Sequence, residues 1–475
     1  MVAPRICLVP EFTDSLGAEA LEFVASTGLE LDEHQSFVLE RALGRRKDGK
    51  RSAKEVAVVE PRQNGKNAIL EARQLVGLFL LGERYQVHSA HLIDTSLEAF
   101  RRLLDRIEDT DLERQVKRVS RTNGREAIEL KNGCRIRFRT RTKGGGRGFT
   151  GDVIYLDEAM ILPEASFGSL LPSLSGNSLV GDPQIWYTGS AVDQFVHEYG
   201  IVLARVRERA IAKAPELAYF EWSLEGDDPE TIDEKLLTDR EAWAKANPAL
   251  GLRIAEEFVE LERRSLDPRT FAVERLGVGS WPPTSRSSEE VIDIEKWRAL
   301  IDEDSVPLDP ITFAFDVAPD RSVCSIAAAG KRADGVPHLE IVERKRGTRW
   351  VVDLLVELTE KHETLAVVCD LAGPAASLVT ALDEAGIEVF EVSAGDYAAG
   401  CGLFFDSVEQ GQLRHLGTPE LVASLRGAAR RPLGDRWAWS RKTSAVDISP
   451  LVAATLALWG AASLESVTPE IMIAV

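Results

Sequence analysis

Apolar residues along this chain follow two rhythms. In the first part, short runs at Glu55–Val59 (EVAVV), Asp152–Leu156 (DVIYL) and Gln184–Thr188 (QIWYT) predict buried strands. Between the first two, Asn67–Leu81 carries apolar residues at helical spacing. Strands alternating with helices predict a parallel sheet. The stretch from Gly226 to Arg269 is rich in charge and helix formers. Trp281–Glu290 reads WPPTSRSSEE, and paired prolines followed by serines and charges predict a linker. Beyond it, strands are expected at Ile311–Val317 (ITFAFDV), Val323–Ala329 and Leu339–Glu343. A helix at Trp350–Lys361 and a strand at Leu365–Asp370 follow. Trp437 and Trp439 alternate on a further predicted strand, with at least one of them expected in the core.

At 475 residues the chain is long enough for two or three domains. Its 44% apolar and 28% charged residues are ordinary for a globular protein and exclude a disordered chain. The formal net charge of -19 excludes a surface coated in positive charge, but leaves room for a local basic strip that meets phosphates. Five scattered cysteines, Cys7, Cys134, Cys324, Cys369 and Cys401, form no CxxC pair, which argues against a disulfide framework or a zinc site and for a reducing compartment. The longest apolar run, Leu451–Ala462, is too short to span a bilayer, so no membrane association is expected.

Directly after the Val56–Val59 run comes Glu60-Pro-Arg-Gln-Asn-Gly-Lys-Asn67, then the helical pattern. A strand, tight loop and helix place backbone N–H groups and a helix N-terminus around an anion. Lys66 is positioned to reach terminal phosphates. Against the usual GxxxxGK[ST], Glu60 stands for the first glycine and Asn67 for the Mg²⁺-binding hydroxyl. An amide oxygen ligates Mg²⁺ less commonly, so that role of Asn67 stays open. Downstream, Val153–Leu156 runs into Asp157 and Glu158. In a P-loop ATPase such an Asp holds the Mg²⁺ shell and the following Glu polarises the attacking water. The two motifs in this order predict an ATPase with Asp157 as metal residue and Glu158 as catalytic base.

Lys131 to Gly151 contains no acid and seven basic residues: Lys131, Arg135, Arg137, Arg139, Arg141, Lys143 and Arg147. Arg135, Arg137, Arg139 and Arg141 alternate with Ile136, Phe138 and Thr140 and are expected on one face of a strand. Clustered guanidiniums repel unless an anion lies among them, and DNA backbone is the natural one. The competing reading is an edge strand whose charges block aggregation.

In the second part, Asp316 interrupts an apolar strand, Asp370 ends a later one, and Asp447 precedes an apolar helix. A carboxylate among apolar strand residues is costly without a metal or a partner. Carboxylates suit Mg²⁺ or Mn²⁺, and three converging ones can hold two ions that activate water and stabilise the leaving oxygen of a phosphodiester. Asp320 is a further acid nearby, and Asp435 and Asp406 are alternatives to Asp447, because Ser449-Pro450 can itself start the helix.

Together, Pro61–Lys66, Thr150–Ala159 and Asn247-Pro-Ala-Leu-Gly251 resemble the large terminase subunit of tailed bacteriophages, and the resemblance covers most of the chain. It implies an α/β protein: a P-loop ATPase domain with an additional strand over 1–285, carrying a lid subdomain at about 226–270, a linker at 286–307, and an RNase H-like mixed-sheet nuclease domain over 308–475. It implies ATP held by Arg62, Gln63, Asn64, Gly65, Lys66 and Asn67, with Gln35 reading adenine and Thr188-Gly-Ser190 coupling to the γ-phosphate. Arg62 in cis or Arg147 in trans would contact phosphate. Asp316, Asp370 and Asp447 would be the nuclease acids with Mg²⁺ or Mn²⁺. The implied activity is ATP-driven packaging of viral double-stranded DNA with cleavage of the concatemer. The implied partners are double-stranded DNA, a portal protein, a small terminase subunit and further copies of the chain on the portal. The implied location is the cytoplasm of the infected host, transiently on the procapsid and not in the mature virion. A helicase or repair ATPase fused to a nuclease, and a non-catalytic assembly protein with a degenerate loop, are the rival readings.

Overall fold

In a computed structural model of the chain, the apolar runs of the first part become the centre of one nine-stranded sheet. The structure describes all residues except 123, 142–150, 177–180, 195, 198, 227, 230–231, 283, 285–290, 445 and 465–475. The chain divides into two units, Met1–Thr284 and Ser285–Val475.

In the first unit, β1 (Ile6–Leu8) belongs to the large sheet, while β2 (Asp14–Ser15) and β3 (Gly44–Arg45) form a small antiparallel pair. The sheet continues with β4 (Glu55–Val59), β5 (Tyr85–Ala90), β6 (Val116–Ser120), β7 (Ala127–Leu130), β8 (Arg135–Thr140), β9 (Val153–Leu156), β10 (Gln184–Gly189) and β11 (Leu217–Glu221). Its order is β1-β11-β4-β10-β9-β5-β8-β7-β6. From β11 to β8 all neighbours are parallel, and the outer strands β1, β7 and β6 pair antiparallel. β10 lies between β4 and β9, so an additional strand separates the loop-bearing strand from the one that ends in Asp157.

The runs are continuously apolar because both faces of the sheet are covered. Val56, Val58, Tyr155 and Trp186 face one core with Ile69, Leu103 and Val38 of three helices. Ala57, Val59, Ile154, Leu156 and Tyr187 face the other with Leu203 and Val206. The charged stretch after Gly226 folds into four helices, Glu234–Thr238, Arg240–Ala246, Glu256–Ser265 and Pro268–Leu276. They share a small core of Leu237, Trp243, Val259, Phe271 and Leu276. The last of these helices starts on Asp267, whose side chain accepts from the Thr270 amide, and stops at Gly277 with φ 68°.

In the second unit, β12 (Leu308–Val317), β13 (Val323–Lys331) and β14 (Pro337–Arg346) form an antiparallel meander. β15 (Thr364–Cys369) and β16 (Val389–Glu391) add in parallel on the β12 side, and β17 (Arg414–His415) pairs with β14. The order β16-β15-β12-β13-β14-β17 makes this a mixed sheet. A separate hairpin, β18 (Arg430–Leu433) with β19 (Arg436–Trp439), lies outside the sheet. Trp439 of this hairpin is fully buried and donates to Thr455 Oγ1 at 3.0 Å, whereas Trp437 is half-buried.

Part of the stretch 286–307 expected as a linker is core instead. Val291, Ile292, Ile294, Trp297 and Leu300 are buried in the second unit, and Trp297 stacks on His415 at 3.7 Å between ring centroids. The prolines and serines that suggested a linker lie just before this anchored segment. Alternation along β12 sends Phe313, Phe315 and Val317 into one core and Thr312, Ala314 and Asp316 to the opposite face. The helix Ser449–Ser463 packs on that second face, where Gly460 admits close approach. A Cβ on Gly460 would stand 2.8 Å from Thr312 Cγ2 and 3.1 Å from Val368 Cγ2. Gly460→Val is therefore expected to destabilise the second unit by about 1–3 kcal/mol, read as a lower urea midpoint.

Candidate active sites

β4, β9 and β10 are parallel neighbours, with Gly189 beside Val59 and Tyr187 beside Leu156. Their carboxyl ends open onto one edge of the sheet. There the loop of residues 60–65 leaves β4, Asp157 and Glu158 follow β9, and Thr188 and Ser190 lie at the end of β10. Gln63 (φ 67°) and Gly65 (φ 108°) turn the loop so that the helix Lys66–Leu75 begins at this edge. Gly65 is required twice over, because a Cβ there would also lie 2.3 Å from Gln35 Nε2.

Lys66 Nζ donates to the carbonyls of Glu60 (2.9 Å) and Pro61 (3.3 Å) and lies 3.5 Å from Ser190 Oγ. Burial lowers its pKa, while the carboxylates of Glu60 and Asp157 pull the other way. Glu60 is fully buried and neither carboxyl oxygen has a hydrogen-bond partner. Burial pushes its carboxyl up to about 7, against the pull of Lys66. His34 Nε2 stands 3.7 Å away, and burial takes that imidazole down to about 4.

Asp157 is held in place from several sides. Its Oδ1 accepts from Thr188 Oγ1 (2.8 Å) and from the Glu158 amide (2.9 Å), and His88 Nε2 lies 4.0 Å from Oδ2. Glu158 has left-handed backbone angles (φ 51°), and its Oε2 is buried without a partner. Burial raises the Glu158 pKa, and the neighbouring Asp157 charge adds to the rise. Arg141 donates to the carbonyls of Ser89 and Glu158, both at 3.1 Å, and to that of Asp157. This corrects its expected place beside Arg135, Arg137 and Arg139. Arg141 lies past the end of β8, where the alternation of faces no longer binds it, and the carbonyls of the acidic turn capture its guanidinium.

The Asn247–Gly251 segment closes on the loop of residues 60–65. Asn64 Nδ2 donates to Asn247 Oδ1 (2.9 Å) and to the Pro61 carbonyl (3.2 Å), while Asn64 Oδ1 accepts from the Ala249 amide (3.0 Å). Asn247 Nδ2 donates to the Trp243 and Arg275 carbonyls, both at 2.8 Å. Arg253 donates to the Asn64 carbonyl at 2.8 Å and pairs with Asp32. Gln35 is fully buried with both ends of its amide in use: Nε2 donates to the Gly65 carbonyl (3.1 Å) and Oε1 accepts from the Asp32 amide (2.8 Å). Here it braces the loop. Arg62 is exposed and pairs with Glu274 at 2.8 Å. Asn67 is exposed in the first helical turn. Arg147 and Lys143 lie outside the described residues.

β8 sits inside the sheet between β5 and β7 and is not an edge strand. Ile136 and Phe138 are buried, while Arg135 and Arg137 are exposed and Arg139 is half-buried. The Arg135 guanidinium lies 4.5 Å from the Tyr85 ring centroid.

In the second unit, Ala314 of β12 pairs with Val368 of β15 in parallel. Continuing that register by two residues sets Asp316 beside Asp370. Both are buried, and Arg441 joins them. Its Nη2 and Nε donate to Asp316 at 2.7 and 3.2 Å, and its Nη1 donates to Asp370 at 3.0 Å. Burial raises the Asp316 carboxyl to about 6, Arg441 opposes the rise, and Asp447 and Asp370 add to it. Asp447 reaches this edge through Ser449, whose hydroxyl lies 2.9 Å from Asp447 Oδ2 and 2.9 Å from the hydroxyl of Ser325, the strand partner of Asp316. It accepts from Arg344 at 3.2 and 3.3 Å and from Ser449. Asp406, Asp435 and Asp320 are exposed. Among the described residues no group of three His, Cys, Asp or Glu side chains is drawn together tightly enough to hold a metal ion. Guanidiniums stand among the acids instead. The donor set nevertheless suits a hard divalent ion, since Asp316 and Asp370 already turn oxygens toward one shared cation.

No family model matches this chain, and no curated protein matches it. Among solved structures, the chain is similar to the large terminase of bacteriophage HK97, at 14% identity over 94% of this chain and 100% of that one, with a TM-score of 0.47. The large terminase ATPase domain of Thermus phage P74-26 matches at 16% identity over 54% of this chain and 96% of that one, with a TM-score of 0.37. The large terminase nuclease of thermophilic phage G20c matches at 16% identity over 32% and 83%, with a TM-score of 0.25.

Glu60 gives the first edge a pH signature. Its folded pKa, about 7, lies above the ordinary value of 4.5, so the native state holds the proton more tightly than the unfolded chain. Stability from this group is present at low pH and is lost as pH rises through 7. Relative to Glu60→Gln, the wild type is expected to lose on the order of 1–3 kcal/mol between pH 4.5 and pH 8. Paired urea titrations measure it, and a pH-independent difference refutes it.

Proposed function

We propose that this chain is a DNA-packaging motor and nuclease of the large-terminase type. ATP hydrolysis in the first unit would drive double-stranded DNA into a capsid, and the second unit would cut the DNA. The observation that supports the reading is the presence, in one chain, of two sheet edges whose charged groups suit phosphate chemistry. One gathers Lys66, Asp157, Glu158 and Thr188 at the ends of parallel strands. The other brings Asp316 and Asp370 together on a mixed sheet, with Asp447 just before the helix packed on it.

For the first edge, the amides at the start of Lys66–Leu75 offer donors to the phosphates. Lys66 exchanges its two loop carbonyls for phosphate oxygens. Asp157, fixed by Thr188, would hold Mg²⁺, which would supply neutralisation of the phosphate charge when bound. Glu158, with its raised pKa, is suited to accept the proton of the attacking water. The hydrogen bond from Thr188 to Asp157 ties the end of β10 to the metal residue, a direct route for sensing hydrolysis. Asn247 and Arg275 connect the same loop to the helical cluster at 226–270, which supports a lid role for that cluster.

For the second edge, Asp316 and Asp370 would share a divalent ion, with Asp447 beside them. Such an ion supplies activated water and stabilises the leaving oxygen. Exposed Arg135 and Arg137 on β8 are the part of the basic strip that fits DNA phosphates. A portal protein, a small subunit and further copies of this chain are the partners this activity requires, in the cytoplasm of an infected host.

The non-catalytic reading draws on one specific observation, the capture of Lys66 by its own loop carbonyls. One pair of variants of the full chain separates the alternatives. Lys66→Ala is expected to abolish ATP turnover, whereas absent turnover in the wild type would favour the assembly protein. Asp316→Ala is expected to abolish Mn²⁺-dependent DNA nicking while ATP hydrolysis persists, and normal cutting by that variant defeats the nuclease assignment.

A further inference from the structure

Arg441 has a pocket built for it. Its guanidinium spans two buried carboxylates through three hydrogen bonds. Its third neighbour is Gly373, where a Cβ would stand 3.2 Å from Nη2 and 3.3 Å from Cζ, tighter than ordinary contact. The Tyr397 ring lies on another side, 5.6 Å from Cζ to its centroid. Only 14% of the Arg441 side chain remains exposed, and 1% and 5% of the Asp316 and Asp370 side chains. Arg344 meets Asp447 in the same way, so each acid of the edge has an internal cation. Arg441 itself lies in the turn after β19, outside the sheet ladder.

Resting on the nuclease reading, we propose that Arg441 is the resident cation of this site: it occupies the position between Asp316 and Asp370 that a divalent ion would take, and the two compete. The carboxylates face one small space. A guanidinium and a divalent ion sharing that space repel each other. With neither cation present the buried carboxylates are left unpaired, which is strongly unfavourable. Arg441 thereby keeps the metal-free protein folded and sets the metal concentration at which the site fills.

Mn²⁺ binding to the full-length chain, read from the electron paramagnetic resonance of free Mn²⁺, tests this. Arg441→Gln removes the competing charge and is expected to bind Mn²⁺ at least ten-fold tighter than wild type. Its metal-free melting temperature falls, and added Mn²⁺ raises it by more than in wild type. Arg441→Lys keeps a charge but cannot span both carboxylates, and falls between the two. Gly373→Ala alters no charge, crowds the guanidinium as closely as the Asp370 carbonyl, both at 3.2 Å, and also tightens Mn²⁺ binding, because the guanidinium is the end free to give way. Equal or weaker Mn²⁺ affinity in folded Arg441→Gln overturns the proposal and leaves the nuclease reading standing. Should Arg441→Gln not fold, unchanged affinity in Gly373→Ala overturns it. If no protein of the set binds Mn²⁺, or Asp316→Asn binds it as well as wild type, the nuclease reading itself fails and the proposal with it.

Discussion

A charge taken out of water must meet an opposite charge or a dipole, and this constraint shapes both edges of the protein. In the first unit, Lys66 reaches two loop carbonyls, while Glu60 and Asp157 set the field around it. In the second, Asp316 and Asp370 converge on Arg441. Each edge lies where parallel strands end, because such strands bring residues distant in sequence to one line. The rest of each unit serves to hold that line. Apolar residues cover most of both faces of each sheet.

The loop of residues 60–65 shows how a departure from a motif is accommodated. Glu60 replaces the expected glycine, and the backbone freedom it lacks is supplied later, at Gln63 and Gly65. The loop is then fixed from outside by Asn247, Ala249, Arg253 and Arg275, all from the helical cluster or its flanks. Any movement of that cluster changes the hydrogen bonds of the loop directly. Glu60 itself remains buried without a hydrogen bond, and it settles this by holding its proton up to neutral pH.

Periodicity in the sequence determined much of this protein. The strands at Glu55–Val59, Val153–Leu156 and Gln184–Gly189, the meander beginning at Ile311, and the helix at Trp350 all follow from local apolar spacing, because burial on one or two faces imposes a period on the side chains. The need of Lys66, Asp157 and Asp316 for partners was also legible, since a charge beside an apolar run announces a cost that something must offset. Tertiary structure alone decided which partner offsets it. That Arg141 serves the acidic turn rather than the row of Arg135, Arg137 and Arg139, that Gln35 braces Gly65, that Asn247 holds Asn64, and that Arg441 bridges two acids far before it are contacts across long stretches of chain. Hydrogen bonds and ion pairs of this kind depend on distance in space and on excluded water, and neither is written in the spacing of residues.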